Sequence, residues 1–222
     1  MNYFAHGREH LSRPYFLAGV AAPDWLNVVD RKVRARSRLA APCVGDADPA
    51  VAEVAQGVMQ HHADDDWFHQ TRAFAELNLA FTVAIRDALP PDGGFRPSFL
   101  GHILVEILLD DLLITEQPDQ LEAYYKAMES LDGAVVAAAL NRMATRPVEE
   151  ATFAWFLERF CQERFLYDYA DDGKLLMRLN QVMRRVALPA LPDTLTRCFA
   201  DMRNQVADRR EELLSPPCHP AG

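Results

Sequence analysis

Apolar residues recur at helical spacing along almost the whole chain, and strand-like alternation is scarce. The stretch "DPAVAEVAQGV" opens with Asp48 as a candidate N-cap and Pro49 at the first helical position, so a helix is expected over about 49–70. "TRAFAELNLAFTVAIRDAL" continues as a second helix, ended by "PPDGG" at 90–94. "RPSFLGHILVEILLDDLLI" starts a third behind Pro97 and stops before Pro118. Further helices are expected over 119–130, about 133–145, 147–169, 173–187 and 193–214, with 215–222 as a frayed tail. Without repeats or a linker of domain-boundary quality, the expected fold is all-α: a single-domain bundle of about eight helices over residues 1–214.

The polar exceptions to this pattern carry the chemistry. At about 100° per residue, Val51, Val58 and Phe68 fall within roughly 60° of Val54 and define an apolar stripe. His61, Asp65 and His69 fall in the same arc, whereas Asp64 and Asp66 point to either side. A second row, His102, Glu106 and Asp110, runs at four-residue spacing along the apolar segment "GHILVEILLDDLL". Burying a lone carboxylate costs several kcal/mol even after relaxation, roughly the scale of a small domain's whole stability. No Lys or Arg shares either row, so a divalent cation shared by imidazole and carboxylate is the expected neutraliser. Two further groups join them: His6 in "NYFAH", and Asp24 after Pro23, where the preceding helix is expected to break. Each has a plainer reading: a hydrogen-bonded core His for His6, a helix cap for Asp24, a metal-free ion-pair network for the two rows.

Composition narrows the class. The formal net charge is −9 and half of the residues are hydrophobic, which argues against a nucleic-acid-binding protein. No run approaches a membrane span, and four Cys without a CxxC pair read as reduced thiols in a cytoplasmic protein. The basic cluster in "DRKVRARSR" (Arg31, Lys32, Arg34, Arg36 and Arg38) suits a phosphate or an acidic partner, or else forms a solvated face. The aromatic set Trp155, Phe156, Phe160, Phe165, Tyr167 and Tyr169 reads as core. Nucleotide cradles and the GxSxG nucleophile motif do not occur.

"MNYFAH", "FLAG" with the following Asp24, "GVMQHHADDDWFH", "ILVEILLDDLL" and the late "ERFLYDYADDGKLLMRLNQVMRR" together resemble the successive blocks of the bacterial acyl-carrier-protein phosphodiesterase family, relatives of the HD-type metal phosphohydrolases. The resemblance implies an HD-like helical fold, a phosphodiesterase or phosphohydrolase activity and a divalent metal (Mn, Mg, Zn or Fe). It points to His6, Asp24, His61, Asp65 and Asp110, with Glu106 at an acidic position of the family. Val20 stands where the family tends to have Asn, Asp110-Asp111 where it tends to have Asp-His, and His69 where it often has an acid. "AGVAAPDWL" is also similar, more weakly, to the "PD" segment of zinc-dependent phospholipase C-like proteins. The combined expectation is a metal-dependent hydrolase of a phosphate-containing small molecule or carrier protein. His6, Asp24, His61, Asp65, His102 and Asp110 are its metal ligands, Glu106 and His69 its general base or acid, and Arg31, Lys32 and Arg34 its phosphate or partner contacts. The competing expectations are a di-iron-like helical protein, weakened by the lack of any Glu-x-x-His, and a non-catalytic scaffold.

Overall fold

A computed structural model describes residues 1–91 and 93–216. The fold is all-α. In chain order the helices are α1 (Tyr3–Gly7), α2 (Pro14–Val29), α3 (Ser37–Ala40), α4 (Pro49–Phe68), α5 (Arg72–Ala88), α6 (Pro97–Glu116), α7 (Pro118–Glu129), α8 (Gly133–Asn141), α9 (Glu150–Glu163), α10 (Asp172–Arg185), α11 (Phe199–Asp208) and α12 (Arg210–Leu213). Short 3-10 turns cover Arg8–His10, Ala41–Cys43, Phe165–Ala170 and Asp193–Cys198. Among the described residues the only β pairing is one isolated bridge between Ala35 and Ala144. Among the described residues no helix is long and apolar enough to cross a membrane. Most of the tail expected at 215–222 lies outside the described residues.

The segments outnumber the eight expected because local side-chain chemistry stops helices that periodicity would extend. Asn141 ends α8 by pairing with both backbone groups of Val148, at 2.7 and 3.0 Å. α9 stops at Glu163 because Arg164 turns left-handed (φ 43°), and its guanidinium is fixed by Glu122 and Glu129, each at 2.8 Å. Such a turn usually falls to glycine, so nothing in the pattern announced it. The expected aromatic core is only partly one. Phe160 and Tyr169 are buried, but Trp155 is 62% exposed and Tyr167 is also exposed, because α9 buries the i, i+4, i+7 face of Phe153, Leu157 and Phe160.

The chain divides into two compact units, neither continuous in sequence. One comprises residues 3–66 and 117–164. Its centre is α2, buried nearly all round from Phe16 to Pro23 and again at Trp25 and Leu26. Trp25 packs edge-on against Phe153 and Phe160 of α9. Contrary to expectation, Pro23 does not break this helix. An interior proline costs about 3 kcal/mol through its missing N–H. Full burial of the apolar side chains Leu17, Trp25 and Leu26 offsets this, each at about 1.5–3 kcal/mol.

Within this unit α2 and α4 cross backbone to backbone. A Cβ on Gly19 would fall on the Val54 carbonyl, and one on Gly57 on the Phe16 carbonyl and the Val20 nitrogen. Only glycine admits so close an approach at either position.

The other unit comprises residues 1–2, 67–116 and 165–222. α5 and α6 pack along their lengths, with α11 against both. Asp111 of α6 is buried. Arg203 of α11 reaches it at 2.7 Å and also binds Asp172 and the Tyr169 carbonyl.

Candidate metal centres

His61 lies on the apolar stripe of α4 one turn after Gly57, which is where the helix crossing brings α2 closest. Its Nδ1 donates to the Val20 carbonyl at 2.9 Å. A carbonyl only accepts, so this bond fixes the ring proton on Nδ1 and leaves Nε2 as a lone pair in the neutral imidazole. That lone pair faces Asp65 Oδ2 at 3.4 Å, one turn further along α4.

His6, from α1, repeats the arrangement. Its Nδ1 donates to Asp64 Oδ2 at 3.1 Å, and Asp64 is held on its other oxygen by Gln60 at 2.7 Å. Its Nε2 lies 3.2 Å from Asp65 Oδ1, yet is buried without a hydrogen-bond partner in usable geometry. The two imidazoles stack with centroids 4.5 Å apart. His6, His61 and Asp65 each offer a ligand atom, all within 4.8 Å of one another. Both histidines are buried, whereas the Asp65 side chain is 28% exposed, so solvent reaches the group from the carboxylate side.

Burial alone would lower the His6 pKa, but the Asp64 and Asp65 carboxylates outweigh it and hold it above the usual 6.5. Burial likewise opposes ionisation of Asp65, and His6 and His61 reverse that, holding its carboxyl well below the usual range. The field that favours a proton here also favours other cations, so the three groups could hold a metal ion.

A second group forms on α6 and the turn before α5. The helix expected to reach residue 70 ends at Phe68, where the Thr71 side chain bonds the Phe68 carbonyl at 2.8 Å and caps α5 through the Phe74 N–H at 3.2 Å. His69 therefore sits in a turn, and helical phase no longer governs it. The row read as His61-Asp65-His69 is divided accordingly: His61 and Asp65 join His6, while His69 joins His102 and Glu106. His69 Nε2 and His102 Nε2 lie 2.9 and 3.3 Å from the same Glu106 Oε1, and their ligand atoms also fall within 4.8 Å of one another. The first amino group of the chain lies 3.3 Å from that oxygen. Burial would raise the Glu106 pKa, but this ammonium and the two imidazoles pull it down to about 2.

Of the remaining expected residues, Asp24 is half-buried on α2, not in a break after it, and is not among the converging three. Asp110 is fully buried on α6 and belongs to neither converging group. Arg31, Lys32 and Arg36 are exposed, and Arg34 is half-buried. This basic segment is tied to α4, because His62 Nε2 donates to the Ala35 carbonyl at 2.9 Å. The sequence leaves His62 and Asp64 as either solvated or outer partners of the site; Asp64 is such a partner, behind His6, and His62 holds the basic segment, through α1 and an irregular loop for which periodicity has no signal.

Comparison of the chain with protein-family models, curated proteins and solved structures finds no match.

Proposed function

We propose that this protein is a metal-dependent phosphohydrolase whose divalent ion is held by His6, His61 and Asp65. The observation that carries the reading is the convergence of the buried His6 Nε2 and the His61 Nε2 on the one carboxylate of Asp65. With both rings neutral, two lone pairs face one carboxylate, an arrangement that a divalent cation relieves as a proton on His6 does in its absence. The nitrogen–oxygen separations of 3.2 and 3.4 Å suit ligands of one ion, since bonds of about 2.1 Å at tetrahedral angles place ligand atoms roughly 3.4 Å apart. Val20 and Asp64 act as the outer partners that fix which nitrogen faces the ion. Two imidazoles favour Zn, Mn or Fe over Mg.

A bound ion supplies a water of lowered pKa and neutralises charge on a phosphoryl oxygen. The chain's own contribution to phosphate is the basic segment of Arg31, Lys32, Arg34 and Arg36, anchored one residue along α4 from His61. Its charge, within an acidic chain, suits a phosphate-bearing substrate, including an acidic carrier protein, as the sequence resemblance also suggests.

The test is metal analysis of the purified protein alongside hydrolysis of bis(p-nitrophenyl) phosphate and p-nitrophenyl phosphate with Mn²⁺, Mg²⁺, Zn²⁺ and Fe²⁺. Asp65→Asn is expected to lose one ion per chain and all turnover together; hydrolysis retained by that variant overturns the assignment. Two imidazoles with one carboxylate also suit non-haem iron. Tightly bound iron without turnover of either ester favours that second reading.

A further inference from the structure

We propose that His69, His102 and Glu106 form a second, separate metal site, which takes a transition-metal dication of the zinc, cobalt and nickel class and clamps the turn before α5 to α6. The proposal stands on placement. His102 and Glu106 are one helical turn apart on α6, so their side chains share a face, and His69 projects from the turn between Phe68 and Thr71 to meet them. Both imidazoles aim Nε2 at one carboxylate oxygen, and their rings are only 4.7 Å apart.

With both rings neutral, each can donate Nε2–H to Glu106 Oε1, His69 at 2.9 Å, and the terminal ammonium lies 3.3 Å from the same oxygen. Turned to the other tautomer, the two rings and the carboxylate present three donor atoms to one point. A dication accepts all three groups at once, and two nitrogens with one oxygen is a recurrent zinc donor set. Magnesium and calcium prefer shells of oxygen, which this group does not offer.

The surroundings suit a site that holds rather than reacts. Phe74 packs against both imidazoles, with centroids 4.8 and 4.9 Å away, and Phe68 packs on Phe74 at 5.0 Å. The rings limit the reorientation of the two histidines. The histidine side chains remain 31% and 40% exposed, so an ion enters from solvent without unfolding the helices. The turn they fix is otherwise closed by the backbone bonds of Gln70 and Thr71 and by the Thr71 cap.

The experiment counts ions and follows stability. Protein stripped with a chelator is dialysed against Zn²⁺ and analysed, and its thermal midpoint is recorded with and without the metal. Wild type is expected to hold two Zn²⁺ per chain, His102→Gln one, His61→Gln one, and the double variant none. In His61→Gln the zinc-dependent rise in midpoint persists; Glu106→Gln and His69→Gln each lose one ion, as His102→Gln does. Millimolar Mg²⁺ leaves the second site unfilled. Unchanged zinc content in all three of the His69, His102 and Glu106 variants overturns the proposal, whereas loss of an ion only in His61→Gln leaves the first centre standing and removes this one. Far-UV circular dichroism confirms that each variant is folded before its ions are counted.

Discussion

The two imidazole–carboxylate groups use the same three residue types, yet they are built by different means. At His6, His61 and Asp65 each ring has its second nitrogen tied down, one to a backbone carbonyl and one to a carboxylate that is itself hydrogen-bonded. At His69, His102 and Glu106 the rings are held by aromatic packing, and one oxygen serves both. The first group has its proton positions decided before any ligand arrives; the second has them decided by whatever cation is present. Pre-decided geometry is what chemistry needs, because a ligand atom that must first reorient spends binding free energy on ordering. On the proposed reading, reactivity belongs to the first group and clamping to the second.

The largest expected effect on this comparison comes from Gly57→Ala. By propensity alone the change stabilises a helix by about 1 kcal/mol. Here the new methyl group meets the backbone of α2, and separating the helices is expected to destabilise the protein by ~3 kcal/mol. Chemical denaturation reads the effect; a gain in stability would show that the crossing is looser than described. The same variant should lose the first ion and retain the second.

Next is Asp64→Asn, which removes the carboxylate behind His6 while keeping its shape. Loss of such an outer partner weakens metal binding about 10–100-fold. Isothermal titration with Zn²⁺ in the His102→Gln background isolates that site, and an unchanged affinity would place Asp64 outside it.

Thr71→Val acts on the other group. It deletes the cap of α5 and the bond that closes the His69 turn, for an expected loss of about 1 kcal/mol. Zinc is expected to recover part of that loss in the His61→Gln background. No recovery would argue that the clamp and the turn are independent.

The smallest effect is one of pH. The folded-state pKa of His6 lies above 6.5, so the metal-free protein gains stability from its protonation that is complete below the unfolded value and is lost as pH rises through the folded one. Bound metal requires the neutral ring, and stabilises more as pH rises over the same window. Thermal melts in chelator and in Zn²⁺ between pH 6 and 8 are expected to slope in opposite directions. Parallel slopes would mean that His6 is not a ligand.

Much of the helical layout was legible in the sequence, because a cap and prolines mark it: Asp48 with Pro49 opens α4, Pro97 starts α6, and Pro118 marks the boundary between α6 and α7. The ends were less so. Asn141 and Arg164 stop helices through partners that are close in space and invisible in periodicity. Pro23 shows the same limit in reverse, since a residue that breaks exposed helices is carried inside a buried one. For the site, helical phase brought out His61 and Asp65 together, but extended one turn too far to include His69, because phase has no meaning beyond the Phe68 carbonyl. The choice between a solvated and an outer-partner Asp64 stayed open, because only the arrival of α1 from elsewhere in the chain brings His6 to it.

The bond from His61 to the Val20 carbonyl has a consequence for how this protein can change over evolutionary time. A buried apolar side chain of similar size can replace valine there without touching the oxygen, so such exchanges at position 20 leave the bond to the imidazole intact. Its counterpart at His6 rests on a side chain, Asp64, which a single codon change can erase. Descendants of this chain should therefore retune their chemistry through position 64, while ring 61 stays as the inherited constant.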